Sequence, residues 1–345
     1  MKTSPPSLRE VGINPNHWYV AARSCEVTHD PYPVTVWKQP IVLYRQPDGQ
    51  VCALEDRCPH RFVKLSAGKV QGDRLECAYH GWQFSPEGKC VSIPYLTEKQ
   101  KLPPCQLRQY PVQEGDGFIW VFLGEHPPTR PRLQVPEWDH LNYIATVSVI
   151  ETQAHYSYLI ENLMDMYHGH LHQDWQAWTD AQLKNIQADE TAVHGYYDAQ
   201  SYYRIDKIWS ISQLFFPRLR QLHPEPLTVS YIYPHWVSTL GEDFKIYCLL
   251  SPIHERATRA YLIHFTSLNA FWRLHKLPIG FRRALKNALF GSAQKLLDGL
   301  VRQDVAMMEQ EQTAFLENPD RKGYEFNPVL GRVQQLIRQQ AISQP

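Results

Sequence analysis

Two short segments bring metal-binding side chains together: Cys58 and His60 in CPHR, then Cys77 and His80 in CAYHGW. Each offers one thiolate and one imidazole, and sixteen residues separate His60 from Cys77. Structural zinc modules usually keep their cysteines paired as C-x-x-C, whereas here each cysteine is paired with a histidine. Such a set can give one iron two thiolates and a second iron two imidazoles, with sulfides bridging them, and histidine ligation raises the potential of such a cluster. A four-ligand structural zinc site is the competing reading.

A second constellation lies in ENLMDMYHGHLHQD. The stretch 158–178 reads as one helix, on which Asn162, Asp165, His168 and His172 recur at intervals of three and four and share a face. The interleaved Leu163, Met164, Met166 and Tyr167 predict a largely buried helix. Polar groups striped through a buried helix need partners, and a metal is one. Redox iron with open coordination positions is commonly held by two histidines and one carboxylate. The late segment GLVRQDVAMMEQEQTAF supplies two candidate acids, Asp304 and Glu309. Asp304 stands among Val301, Val305, Met307 and Met308 and is favoured as the third ligand, while EQEQ reads as a solvated helix face.

Taken together, CPHR, CAYHGW, the Asn-x-x-Asp-x-x-His stretch and QDVAMMEQEQ resemble the catalytic (alpha) subunits of Rieske non-haem iron oxygenases of the homotrimeric type, from NHWYV to NPV. The resemblance implies one [2Fe-2S] cluster per chain, with Cys58 and Cys77 on the inner iron and His60 and His80 on the outer one. It also implies one mononuclear Fe(II), held by His168, a second histidine and Asp304. The family places its second histidine five residues beyond the first, where this chain has Gln173. His172 is taken as the substitute, and His170 stays as the alternative. Asp165 would bridge a cluster histidine of a neighbouring subunit to His168, with Asn162 as a nearby polar residue. The implied reaction uses O2 and externally supplied electrons to hydroxylate or oxidatively demethylate a small apolar or aromatic molecule. A ring-dihydroxylating dioxygenase and a Rieske electron-transfer or redox-sensing protein without catalysis are the alternatives. No Gly-rich dinucleotide fingerprint follows a strand, so a separate NAD(P)H-dependent reductase, with or without a ferredoxin, is the expected donor.

The elements that must position these residues fall into two styles. Hairpin patterns such as PIVLYRQPDGQVCALED and RLECAYHGWQFSPEGKCVSI, closed by GDGFIWVFLG, predict a small all-β iron–sulfur domain over 17–123, after an amino-terminal extension of 1–16. The proline-rich stretch 124–136 reads as a linker. In 137–345, VHGYYDAQ, TVSYIYPHWVST, FKIYCLLSPI and TRAYLIHFTS predict an antiparallel sheet flanked by helices, which makes the whole α+β. After Ala270 the stretch 271–315, from FWRLHK to QEQTAF, reads as helical, interrupted near LPIG. The basic stretch 273–295 is open between a lid, a docking surface and a solvated helix.

Composition excludes several classes. The 35 basic residues equal the 35 acidic ones, which argues against nucleic acid and leaves membrane contact at most peripheral. Seven cysteines, an odd number over 345 residues, do not form a secreted disulfide framework and suggest a reducing, cytoplasmic setting. Outside the ligand pair, Cys25, Cys52, Cys90, Cys105 and Cys248 are each expected as small buried hydrophobes. Trp82 and Arg61 read either as residues that shield or hydrogen-bond the cluster or as an ordinary core tryptophan and a surface arginine.

Overall fold

The computed structural model describes residues 7–97, 99–172, 178–202, 217–219, 221–270, 276–321 and 323–342. The chain divides into two compact units, Pro15–Gln134 and a larger one that joins Met1–Asn14 to Val135–Pro345.

The smaller unit is built from antiparallel strands β1 (Trp18–Arg23), β2 (Tyr32–Val36), β3 (Gln39–Arg45), β4 (Val51–Glu55), β5 (Lys69–Gln71), β6 (Arg74–Glu76), β7 (Gln83–Phe84), β8 (Cys90–Ser92), β9 (Val112–Gly115) and β10 (Phe118–Phe122). They form sheets ordered β1-β10-β9, β2-β3-β4 and β5-β6-β7-β8. The expected hairpin at Pro47-Asp48-Gly49 is present: Gly49 adopts φ +90° and Asp48 Oδ1 accepts the Gln50 N–H at 2.9 Å. Val42, Tyr44, Leu54, Leu75, Phe84 and Leu107 form a buried core against which Cys58 and Cys77 pack.

In the larger unit, strands β11 (Tyr143–Thr152), β12 (Trp178–Ala188), β13 (Ala192–Ser201), β14 (His223–Ile232), β15 (His235–Leu240), β16 (Phe244–His254) and β17 (Ala257–Ser267) make an antiparallel sheet ordered β11-β17-β16-β15-β14-β13-β12. Among the described residues it is accompanied by helices α1 (Tyr156–Met164), α2 (Ile279–Glu317) and α3 (Pro328–Ile342). The break at LPIG is the start of α2, where Pro278 sits at the N-cap. The sequence reading had not picked out α3. Its signal was Val329, Leu330, Val333, Leu336 and Ile337, a helical stripe that is buried throughout. No described helix is long and apolar enough to cross a membrane.

Three expectations are corrected. The helix predicted over 158–178 ends at Met164; Asp165 is extended (φ −92°, ψ 102°), a 3-10 helix follows over Met166–His172, and β12 begins at Trp178. The cause is local: Asp165 Oδ1 turns back to accept the Tyr167 N–H at 3.0 Å, an aspartate turn that competes with the helix. His168 and His172 thus stand on a 3-10 helix rather than on the regular α-helix from which their i,i+4 spacing was read. EQEQ is not simply a solvated face, since Gln312 is buried and Glu309 half-buried. Finally, Cys25 is exposed and Cys90 and Cys105 are only partly buried, while Cys52 and Cys248 are buried as expected.

Candidate active site and iron–sulfur site

The two cysteine–histidine segments fold into the same turn. Cys58 N–H donates to Val63 O and Cys58 O accepts from Phe62 N–H; Cys77 N–H donates to Trp82 O and Cys77 O accepts from Gly81 N–H. In each loop the fourth residue after the cysteine is left-handed, Phe62 at φ 58° and Gly81 at φ 67°. A Cβ on Gly81 would lie 2.9 Å from Pro94 Cγ, so this turn, unlike the one at Phe62, has no room for a side chain. Buried Asp56 fixes the first loop, accepting the Ser66 N–H and hydroxyl, both at 2.7 Å. It is a positioning residue the sequence reading missed.

These turns present the four side chains as two pairs. Cys58 and Cys77 are 1% and 2% exposed and in hydrogen-bond contact. The His60 and His80 rings lie 4.5 Å apart. Burial pushes the Cys58 thiol up to about 11, and the neighbouring Cys77 adds to it. Desolvation lowers the His60 pKa, with His80 and Arg61 contributing, a shift towards the neutral imidazole that ligates metal. Trp82 stacks on His60 at 4.9 Å and 5°, and its Nε1 donates to Tyr95 Oη at 2.7 Å; Tyr79 lies 3.9 Å from His80. Arg61 is exposed.

This arrangement fits a binuclear cluster. His60 Nδ1 is buried without a hydrogen-bond partner, as suits a ligand atom whose partner is a metal. Among the described residues no three His, Cys, Asp or Glu side chains converge as one group able to hold a metal ion. A thiol pair beside an imidazole pair is the division that two irons with different ligands call for.

In the larger unit, Asn162, Asp165, His168 and Asp304 line one cavity of about 1360 Å³. Asp165, His168 and Asp304 are half-buried. The side chains of His170 and His172 lie outside the described residues, as does Gln173. Tyr167, expected to be buried, is 47% exposed, whereas Met164 and Met166 are buried.

Three supports of this cavity were not legible in the sequence. Asn327 caps α3, its Oδ1 accepting the Val329 N–H at 3.0 Å, while its Nδ2 donates to Asp165 Oδ1 at 2.9 Å. From α2, Glu309 accepts the Gln153 N–H at 2.8 Å and Gln312 accepts the buried His155 N–H at 3.0 Å. These bonds hold the entrance to α1 against the helix that carries Asp304. The segment 7–14 also straps α1: Arg9 pairs with Glu161 and lies 3.7 Å from the centre of the Tyr158 ring, and His155 Nε2 donates to Val11 O at 3.0 Å. Beside Asp165, the Tyr197 hydroxyl is buried without a hydrogen-bond partner, and its ionisation is pushed up by burial, then by Tyr167 and Asp165.

Comparison with known proteins follows this division. Residues 17–111 match the family model of the Rieske [2Fe-2S] domain. The 4beta-methylsterol monooxygenase of Methylococcus capsulatus is 31% identical over 347 residues, spanning 95% of this chain and 89% of that protein. The oxygenase component of dicamba O-demethylase from Stenotrophomonas maltophilia is 36% identical over 169 residues, 48% of this chain and 49% of that protein. Dicamba monooxygenase bound to 3,6 dichlorosalicylic acid shares the fold with a TM-score of 0.76 at 21% identity, over 96% of this chain and 98% of that one. The zinc reading is set aside by these relationships. With one relative aligned along nearly its whole length, the chain belongs to the Rieske non-haem iron oxygenases as a catalytic subunit, an enzyme whose family uses a [2Fe-2S] cluster and a mononuclear iron.

Proposed function

We propose that this oxygenase is a monooxygenase that uses O2 to hydroxylate or oxidatively demethylate a small apolar or aromatic molecule. The observation that carries this reading is that Asp165, His168 and Asp304, drawn from distant parts of the sequence, line one cavity. The names of its relatives, a methylsterol monooxygenase and a dicamba O-demethylase, support the substrate class.

When bound, the cluster supplies single electrons and the mononuclear iron supplies a site for O2 activation. Cys58, Cys77, His60 and His80 would hold the former. His168, Asp304 and a second histidine, His172 or else His170, would hold the latter. Two donors, Asn327 Nδ2 and Tyr167 N–H, fix one oxygen of Asp165. A carboxylate anchored on one oxygen can accept an imidazole N–H on the other and so set the tautomer of a ligating ring. Asp165 is assigned this bridging role, with Asn162 beside it at the same cavity.

The bridge implies a homotrimer in which a cluster histidine from one copy meets Asp165 of the next. Electrons are assigned to a separate NAD(P)H-dependent reductase, directly or through a ferredoxin. The seven cysteines, all free, support a cytoplasmic setting.

Iron and sulfide analysis of anaerobically purified protein, with EPR after dithionite, tests the assignment. About three irons per chain are expected, two in the cluster and one outside it. Product formation would then be followed with a panel of aryl methyl ethers and methylsterols. About two irons, even after reconstitution with Fe(II), would leave an electron carrier.

A further inference from the structure

Cys90 and Cys105 were expected to be isolated fillers, and the fold pairs them. Lys89 and Gln106 form an antiparallel bridge, flanked by the bonds Leu107 N–H to Gly88 O at 2.8 Å and Cys90 N–H to Cys105 O at 3.4 Å. One step along this register, Cys90 stands directly opposite Cys105. Opposed residues of an antiparallel pair have Cα atoms about 5.5 Å apart at such a hydrogen-bonded position. That separation falls within the Cα range a disulfide spans, roughly 4.4 to 6.8 Å, and closure requires the Cβ atoms to draw in from about 5.5 Å to about 4.5 Å. The Cys90 and Cys105 side chains are close enough to interact electrostatically, and both residues are partly exposed. Cys90 also packs against the core that holds Cys58 and Cys77, so the pair lies beside the cluster site.

We infer that Cys90 and Cys105 are a redox modification site, which a hydroperoxide oxidises to a cross-strand disulfide next to the cluster. The chemistry balances with hydrogen peroxide as oxidant. Burial raises the Cys90 thiol to about 12, so Cys105 is the attacking thiolate: it bonds to a peroxide oxygen, the O–O bond breaks, and the released hydroxide takes up a proton to leave as water, giving a sulfenic acid. The second thiol attacks that sulfur; the S–S bond forms, the S–O bond breaks and a second water leaves. Two thiols are thus oxidised to one disulfide and one peroxide is reduced to two waters. A dithiol reverses the bond by exchange. The staple would tie β8 to the segment that returns towards β9 without involving a cluster ligand.

The test uses the cluster-loaded protein treated with hydrogen peroxide at doses that leave its visible absorption intact, then alkylated and digested with trypsin without reduction. Lys89, Lys99, Lys101 and Arg108 place the two cysteines on separate peptides, 90–99 and 102–108. The expected result is a linked pair of these peptides, lost on dithiothreitol treatment and absent from both Cys90→Ser and Cys105→Ser with the cluster absorption unchanged. The inference is overturned if both cysteines remain separately alkylated, if either goes to sulfinic acid without linking, or if the link forms only as the cluster absorption bleaches. Using two single variants keeps the test valid should one of them misfold.

Discussion

Asn327 Nδ2 donates to Asp165 Oδ1 at 2.9 Å, so the residue that caps the last described helix also clamps a carboxylate of the candidate-site cavity. Asn327 is 3% exposed, which leaves the bond little competition from water. The helix α3 thereby fixes a side chain 162 positions earlier in sequence.

Asn327→Asp separates the two tasks. The new carboxylate keeps a cap acceptor for Val329 N–H but replaces the donor facing Asp165 with a second acid. Turnover should fall by roughly 10- to 100-fold, the range for losing a group that orients a metal-site side chain, with cluster content unchanged. Steady-state kinetics beside iron and sulfide analysis checks this; unaltered turnover would remove Asp165 from the mechanism proposed above.

Asp304 and Glu309 make different predictions. Asp304→Ala should lower iron from about three to about two per chain and spare the cluster spectrum. Glu309→Ala should keep all the iron and lower stability instead, because the Gln153 N–H loses its acceptor. If Glu309→Ala is the variant that loses iron, the ligand assignment is exchanged.

Gly81→Ala addresses the cluster loops. It places a Cβ against Pro94 in a left-handed turn, where a non-glycine residue costs about 1 to 2 kcal/mol before any clash. The purified variant should carry markedly less cluster, read as lost visible absorption and lowered sulfide. Full cluster occupancy would show that the turn tolerates the side chain.

Gln312→Leu keeps the volume but leaves the buried His155 N–H without its partner. About 1 to 3 kcal/mol of destabilisation is expected for such an orphaned group. Urea unfolding of the variant measures it, and a change under about 0.5 kcal/mol would mean that water or another acceptor substitutes.

His155 gives a pH dependence of known sign. Burial lowers its pKa to about 4, the backbone bond to Val11 opposes the shift, and nearby Arg9 adds to it. The neutral ring is the form used, since Nδ1 accepts the Ser157 N–H while Nε2 donates to Val11 O. The unfolded chain binds the proton more tightly, so this contribution is complete above about pH 6.5 and is lost as pH falls towards 4. Between pH 7 and pH 5 the loss should approach about 2 kcal/mol. His155→Gln should flatten that part of the stability profile, measured by denaturant unfolding across pH; a profile identical to the parent's would assign the acid sensitivity to other groups.

The sequence by itself determined the family and the fold class. Cys58, His60, Cys77 and His80 could be proposed as a ligand set because each of the two segments is contiguous, and hairpins such as that around Gly49 are legible because turn chemistry is local. The Rieske β domain and the antiparallel sheet beyond it followed from strand and turn patterns of the same short range. Tertiary structure alone decided how the cavity is held. The helix breaks at Asp165 through a turn that periodicity does not register, and Glu309 and Gln312 look like a polar surface until the backbone of 153–155 is brought to them. The clamp of Asn327 on Asp165 and the pairing of Cys90 with Cys105 likewise join residues whose types alone do not name their partners. Residue type and spacing encode local geometry and ligand preference, whereas hydrogen bonds between distant segments exist only once packing has brought their donors and acceptors within reach.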